Sequence, residues 1–235
     1  MKLKRRAFIG LVLSSGVVAG FPAIVSARSP NSRLVHACIG THGMAGADMQ
    51  TFAAFKDVTE IGAICDVDAK YLEEAKKVVP NARVYRDWRE LLEKEGDRID
   101  SVNVSTPDHT HTIIAANALA RGKHVYCQKP LCKKLDECRL LRRLAAEKGV
   151  VTQLGTQFAA CLGDRQTVEF LKTGAIGPVT RVCLYSTRNG VSRRERVLKP
   201  AAAVPATLDW EGWIGPAPMR DYAPDYHPTL WRMWR

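Results

Sequence analysis

Cys38-Ile39-Gly40-Thr41-His42-Gly43-Met44-Ala45-Gly46 is the stretch whose reading decides the fold of this 235-residue chain. Before it, Leu34-Val35-His36-Ala37-Cys38-Ile39 is a short apolar strand; after it, residues 47–55 carry a helical pattern. A strand turning into a helix through glycines is the fingerprint of a dinucleotide pyrophosphate site, Gly-x-Gly-x-x-Gly/Ala. The first glycine allows the tight turn, the second lets the backbone meet the phosphates, and the third packs helix on strand. Gly40 takes the first position and Ala45 the third. The second holds His42, a side chain where phosphate should come close, with Gly43 beside it to restore room. The same run also fits an ordinary strand–helix turn.

Working outward, three further segments fall at strand ends. Asp66 closes the strand over residues 59–65, 26 positions after Gly40. An acid there bonds the adenosine ribose hydroxyls and repels a 2′-phosphate, favouring NAD over NADP, although NADP stays possible. Its alternative role is N-cap of the helix near Ala69. Ser105-Thr106-Pro107-Asp108-His109-Thr110-His111 ends the fourth strand and gathers hydroxyls, a rigid proline and two imidazoles where a nicotinamide ribose would lie. A turn with a helix cap is the other reading. His-x-His suits a metal, but no carboxylate–histidine set accompanies it, and no metal is expected. Cys127-Gln128-Lys129-Pro130 places a lysine after the fifth strand. In a partly desolvated cleft such a lysine orients a carbinol oxygen or moves its proton; otherwise it is a surface lysine at a turn.

Between these points strands alternate with helices. Strands are expected at residues 34–39, 59–65, 82–85, 101–105, 124–126 and 150–154, and helices at 47–55, 69–79, 88–95, 112–121 and 135–148. Such alternation implies parallel strands with crossover helices on both faces, an α/β doubly wound sheet of the Rossmann kind. After Gly155 a helix over 165–173 and a strand over 179–186 are expected, then an Arg-, Pro- and Ala-rich stretch to Thr207. Four of the five tryptophans follow it: Trp210, Trp213, Trp231 and Trp234.

The N-terminus reads as a targeting segment. Lys2, Lys4, Arg5 and Arg6 precede an uncharged apolar run from Ala7 to Ile24, and Val25-Ser26-Ala27 offers small residues for cleavage. Glycines and serines dilute the run, so a stable membrane span is not expected. Arg5-Arg6-Ala7-Phe8-Ile9-Gly10 resembles a twin-arginine export signal, which implies a periplasmic destination. Residues 28–32 then read as a linker. Net charge is +11; removing the four positive charges of residues 1–27 leaves +11 − 4 = +7. Acids are interspersed among the basic residues except at Arg193-Arg194-Glu195-Arg196, so a solvated surface is expected rather than a nucleic-acid face. The seven cysteines form no Cys-x-x-Cys pair, which argues against zinc. Cys38, Cys65, Cys127 and Cys183 fall in apolar strands and are expected to pack as small hydrophobes.

These segments, in this order, resemble the glucose-fructose oxidoreductase / inositol dehydrogenase / MocA-type family from Leu34 to the chain end. The family pattern at residues 128–130 is Glu-Lys-Pro; Gln128-Lys129-Pro130 resembles its exported bacterial branch. Leu208-Asp209-Trp210-Glu211-Gly212-Trp213-Ile214-Gly215-Pro216-Ala217-Pro218 and Tyr226-His227-Pro228 look like that branch too. The resemblance implies a Rossmann domain over 33–155 and the start of an open-sheet α/β second domain over 156–235. It implies a homo-oligomer for the full-length form and NAD(P)-dependent oxidation or reduction of a sugar or cyclitol hydroxyl. Gly40, His42, Gly43, Met44, Asp66, Thr106, Pro107, His109 and Gln128 would face the cofactor, and Lys129 would face both nicotinamide and substrate as the catalytic residue. Family members continue past Trp234 into a glycine-rich segment and a strand bearing an Asp and a His near the substrate. The chain therefore reads as a fragment or a shortened gene. Beside the oxidoreductase stand two other expectations: a glycosidase using NAD for transient oxidation, and a non-catalytic dinucleotide-binding remnant.

Overall fold

The structure, a computed structural model, describes residues 33–183, 185, 199–227 and 231. The targeting segment, the linker, the Arg193–Arg196 run, Pro228 and the last four residues lie outside them.

Six strands, β1 (Leu34–Ile39), β2 (Thr59–Cys65), β3 (Arg83–Tyr85), β4 (Ser101–Val104), β5 (His124–Gln128) and β6 (Thr152–Gly155), form one sheet in the order β3-β2-β1-β4-β5-β6. Every pairing is parallel. The crossovers are α1 (Met44–Ala54), α2 (Ala69–Val78), α3 (Trp88–Glu95), α4 (His111–Ala120) and α5 (Leu135–Lys148). The chain runs outward from β1 to β3, then restarts on the other side of β1 with β4. That reversal opens a crevice at the C-terminal ends of β1 and β4.

The central strands read as unbroken apolar runs because both faces of a parallel sheet are covered. One layer packs Leu91, Leu92, Ile114, Leu119 and Leu141 on Ala37, Ile39, Val102 and Val104. The other packs Met49, Leu72, Ala75 and Val79 on Cys38, Ile61 and Ile64. Capping residues set the helix starts. Asp68 accepts from Lys70 N at 3.0 Å to begin α2, and Asp87 accepts from Arg89 N at 2.8 Å to begin α3. Gly149, at φ +61°, supplies the left-handed C-cap that stops α5.

The strand expected over 179–186 is absent from the described residues there, which find no neighbouring strand to complete their ladder. Cys183 is consequently exposed, whereas Cys38, Cys65 and Cys127 are buried as expected. Cys132 and Cys138, in the loop after β5 and the first turn of α5, form a disulfide. A sixth helix, α6 (Leu162–Lys172), follows β6 and begins three residues before its expected start. A short seventh, α7 (Trp210–Ile214), belongs to a segment docked on the loops after β2 and β4. No helix among the described residues is long and apolar enough to cross a membrane.

Inside β1, His36 is 2% exposed; burial pushes its pKa down to about 4, against a smaller upward pull from the Asn103 hydrogen bond. A base whose folded pKa is depressed binds fewer protons than the unfolded chain between the two values. Its contribution is complete above about pH 6.5 and is lost as pH falls toward 4. We expect on the order of 3 kcal/mol of stability to disappear over that window. Urea denaturation at pH 7 and pH 4.5 checks this; the His36→Asn variant should show a distinctly smaller difference between the two.

Candidate functional site

A cleft of about 350 Å³ lies over the C-terminal ends of β2, β1, β4 and β5. Its floor is the glycine turn. Gly40 sits at φ +92°, and a Cβ there would stand 2.8 Å from the carbonyl oxygen of Ser105. No other residue type allows β1 and β4 to end this close together. Gly43 caps α1 at φ +61° with open space around it, so its backbone angle, not crowding, demands glycine. The close approach that the fingerprint assigns to Ala45 is shared with Gly46, where a Cβ would meet Thr41 O at 2.9 Å. No side chain caps the α1 N-terminus and no acid lies in its first turn. An uncapped helix start opening on a cleft suits an anion such as a pyrophosphate. His42 does not cover it: its ring stacks on Tyr71, centroids 3.8 Å apart, and Nδ1 lies 3.6 Å from Glu74 Oε2.

At one end stands Asp66. Its Oδ2 accepts from Thr41 N at 2.8 Å and Thr41 Oγ1 at 3.0 Å, and Oδ1 accepts from Asp68 N at 3.1 Å. Burial raises its pKa, and these three donors partly oppose the rise. The capping role considered for Asp66 falls to Asp68 instead. At the other end stand Gln128, buried as the last residue of β5, and Lys129, exposed. Thr106 and Pro107 form the wall between, and Met44 lies on the floor side. Thus Gly40, His42, Gly43, Met44, Asp66, Thr106, Pro107, Gln128 and Lys129 share one cleft. His109 stands behind it, with Nε2 2.8 Å from the carbonyl oxygen of Trp213, and burial lowers its pKa. His111 is wholly buried, its two ring nitrogens 2.7 Å from Pro130 O and 2.8 Å from Thr106 O. That links the loops after β4 and β5. Neither imidazole joins a metal-binding cluster among the described residues.

Two contributions escaped the sequence. The first is the aromatic segment. Ala69 N donates to Thr207 O and Asp209 N to Val67 O, both at 2.9 Å. Arg86 Nη2 bonds Val67 O and Thr207 O, and His227 Nε2 lies 3.3 Å from Asp68 Oδ2. Trp210 and Trp213 stack at 4.8 Å, packed with Tyr222 and Tyr226. The segment thereby bridges the loops after β2 and β4, and Trp213, His227 and Trp231 line the Asp66 end of the cleft. The clustered tryptophans were a visible signal, but nothing in their spacing gives the docking face. The second is Asp48, the only acid in α1 and 7% exposed.

A Gly40→Ala variant should lose about 1–3 kcal/mol from strain at positive φ, besides the Ser105 clash. Urea denaturation measures it. Gly43→Ala, strained but unclashed, should lose less.

Comparison with known proteins places these features. Residues 35–156, more than half of the chain, match the GFO_IDH_MocA model, described as an oxidoreductase family with an NAD-binding Rossmann fold. A glycosyl hydrolase family 109 protein of Solibacter usitatus is 29% identical over 202 residues, covering 76% of this chain and 44% of its own. An inositol 2-dehydrogenase of Rubrobacter xylanophilus is 26% identical over 122 residues, covering 52% and 34%. The crystal structure of GenD2 from gentamicin A biosynthesis in complex with NAD is similar, with a TM-score of 0.57 and 27% identity, covering 68% and 43%. The chain thus spans less than half the length of each. With the glycine turn, the parallel sheet and the matched family region in agreement, the chain belongs to the GFO_IDH_MocA family of NAD-binding Rossmann oxidoreductases.

Proposed function

We propose that this protein binds NAD in the cleft and, as part of a dehydrogenase, oxidises or reduces a hydroxyl of a sugar or cyclitol. The observation that carries the reading is the glycine turn between β1 and α1. Gly40 and Gly43 leave an uncapped helix start facing a cleft with Asp66 at one end and Gln128–Lys129 at the other. The residues fit a dinucleotide. The α1 start would hold the pyrophosphate, Asp66 the adenosine ribose, and Thr106, Pro107 and Gln128 the nicotinamide half.

Asp66 has four acceptor sites and three bound donors, leaving one for a ribose hydroxyl. A 2′-phosphate there would stand against the Asp66 carboxylate. Lys129, next to the buried Gln128, would orient the substrate oxygen and carry its proton. A bound nicotinamide supplies the acceptor or donor of hydride. The aromatic segment excludes water from the adenosine side. The cyclitol substrate class is supported by the name of the Rubrobacter relative.

Titration with NADH, with NADPH in parallel, followed by nicotinamide fluorescence, tests the binding half; no saturation by a folded sample would sink it. Asp66→Ala should weaken NADH about tenfold, through loss of a charged hydrogen-bond acceptor, and NADPH less. An unchanged preference would return Asp66 to a purely structural role.

A screen of sugars and cyclitols tests the chemistry. With a substrate in hand, Lys129→Ala should lower kcat by about 10²-fold or more while leaving NADH affinity within a few-fold. Sugar turnover without net NADH would instead favour a glycosidase, as the name of the Solibacter relative suggests. NADH binding with no turnover of any sugar or cyclitol would favour the non-catalytic remnant.

A further inference from the structure

We propose that Asp48 is a positioning residue whose buried carboxylate sets the loops after β4 and β5, and with them Lys129, and requires a hydrogen-bond donor rather than an acid at position 128. The proposal rests on the dinucleotide reading above. Asp48 stands in the second turn of α1, the helix that begins at the glycine turn. Its Oδ2 accepts from Ser105 Oγ at 2.7 Å and from Gln128 Nε2 at 2.9 Å. Its Oδ1 accepts from Gln157 Nε2 at 3.3 Å. One carboxylate thus gathers donors that follow β4, β5 and β6. Ser105 precedes Thr106-Pro107, and Gln128 precedes Lys129-Pro130, so both segments at the nicotinamide end hang from Asp48.

The chain of bonds continues inward. Ser105 Oγ accepts from Asn103 Nδ2 at 2.9 Å, and Asn103 Oδ1 lies 3.1 Å from His36 Nε2. On the other side, Gln128 Oε1 accepts from Lys129 N at 3.3 Å. Gln128 therefore uses its amide in both directions, donating to Asp48 and accepting from the lysine's own backbone. A glutamate has the same shape and no amide hydrogen. At position 128 it would set carboxylate against carboxylate at hydrogen-bond distance, where ionising both carries a cost that sharing one proton avoids. The amide at 128 avoids that cost, and Gln128 and Asp48 form a matched pair. The titratable groups facing Asp48 are Cys38 of β1 and Tyr126 of β5. Burial first, and the Asp48 charge second, raise the pKa of both, which keeps them neutral.

The test uses four purified proteins: wild type, Gln128→Glu, Asp48→Asn and the double variant. NADH affinity and melting temperature are measured for each at pH 5.5 and pH 8. At pH 5.5 a shared proton bridges the two acids of Gln128→Glu, and its affinity should lie within a few-fold of wild type. At pH 8 that proton is lost, and affinity should fall about tenfold, the equivalent of one pKa unit of differential interaction. In the double variant the amide introduced on α1 donates to the carboxylate introduced at the end of β5, so affinity should return to within a few-fold of wild type at both pH values. A merely structural role would lower melting temperature in Gln128→Glu without this pH-dependent affinity and its rescue. Equal relative affinities at the two pH values, or a double variant as weak as Gln128→Glu, would overturn the proposal. Should wild type fail to bind NADH, the dinucleotide reading falls. The pH-dependent melting loss of Gln128→Glu and its recovery in the double variant then decide the pairing of 48 with 128 separately.

Discussion

At the end of β1 the backbone passes so close to Ser105 that a single Cβ on Gly40 would stand 2.8 Å from its carbonyl oxygen. That approach fixes how β1 and β4 finish side by side. It fixes where α1 starts, because the turn through Gly43 must follow at once. It also fixes where Asp48 lies, one turn further along the helix. The cleft, the uncapped helix start that opens on it and the hydrogen bonds beneath it are consequences of one contact that only glycine permits.

From that contact the site divides into two halves held by different means. The Asp66 half is closed by apolar and aromatic packing: Trp210, Trp213, Tyr222 and Tyr226 form a cluster anchored to the β2 loop by backbone bonds through Thr207 and Asp209. The Lys129 half is held by polar groups beneath the sheet's end, with Asp48, Ser105 and Gln128 in contact. Packing excludes water without demanding direction, which suits the end where a ligand is retained. Directed hydrogen bonds set positions closely, so the two halves differ in how tightly their side chains are oriented.

The central strands of the sheet were legible because burial on both faces turns parallel strands into apolar runs, and the alternation with helices carried the reading out to the exposed edge strands β3 and β6. Residues 59–65, 88–95 and 135–148 match their observed bounds without adjustment. Strand-end residues such as Asp66 and Lys129 were legible because topology places every strand end on one rim. The strand expected over 179–186 failed for the converse reason. Its apolar residues satisfy a local pattern, but a strand exists only with a partner, and none of the described residues offers one. Asp48 was hidden because its chemistry depends on Ser105, Gln128 and Gln157, which lie 57, 80 and 109 residues away. No local pattern carries such separations. The docking of the aromatic segment was hidden likewise, since its anchors are backbone groups that every residue possesses.

The pairing of Asp48 with Gln128 shows how a departure from a family pattern should be weighed. Taken alone, Gln128 in place of glutamate removes an ionisable group from the Lys129 end and reads as a loss. Set against Asp48, it supplies the amide hydrogen that the buried carboxylate accepts. An amide there can donate to one neighbour and accept from another, which a carboxylate cannot do without a proton. Net charge at the pair is unchanged if the acid stands at 48 rather than at 128. What changes is the group beside Lys129: a neutral amide, whose oxygen faces the lysine backbone, replaces a carboxylate that would attract the ammonium. With the carboxylate set back on α1, the Lys129 side chain stands exposed on the cleft wall.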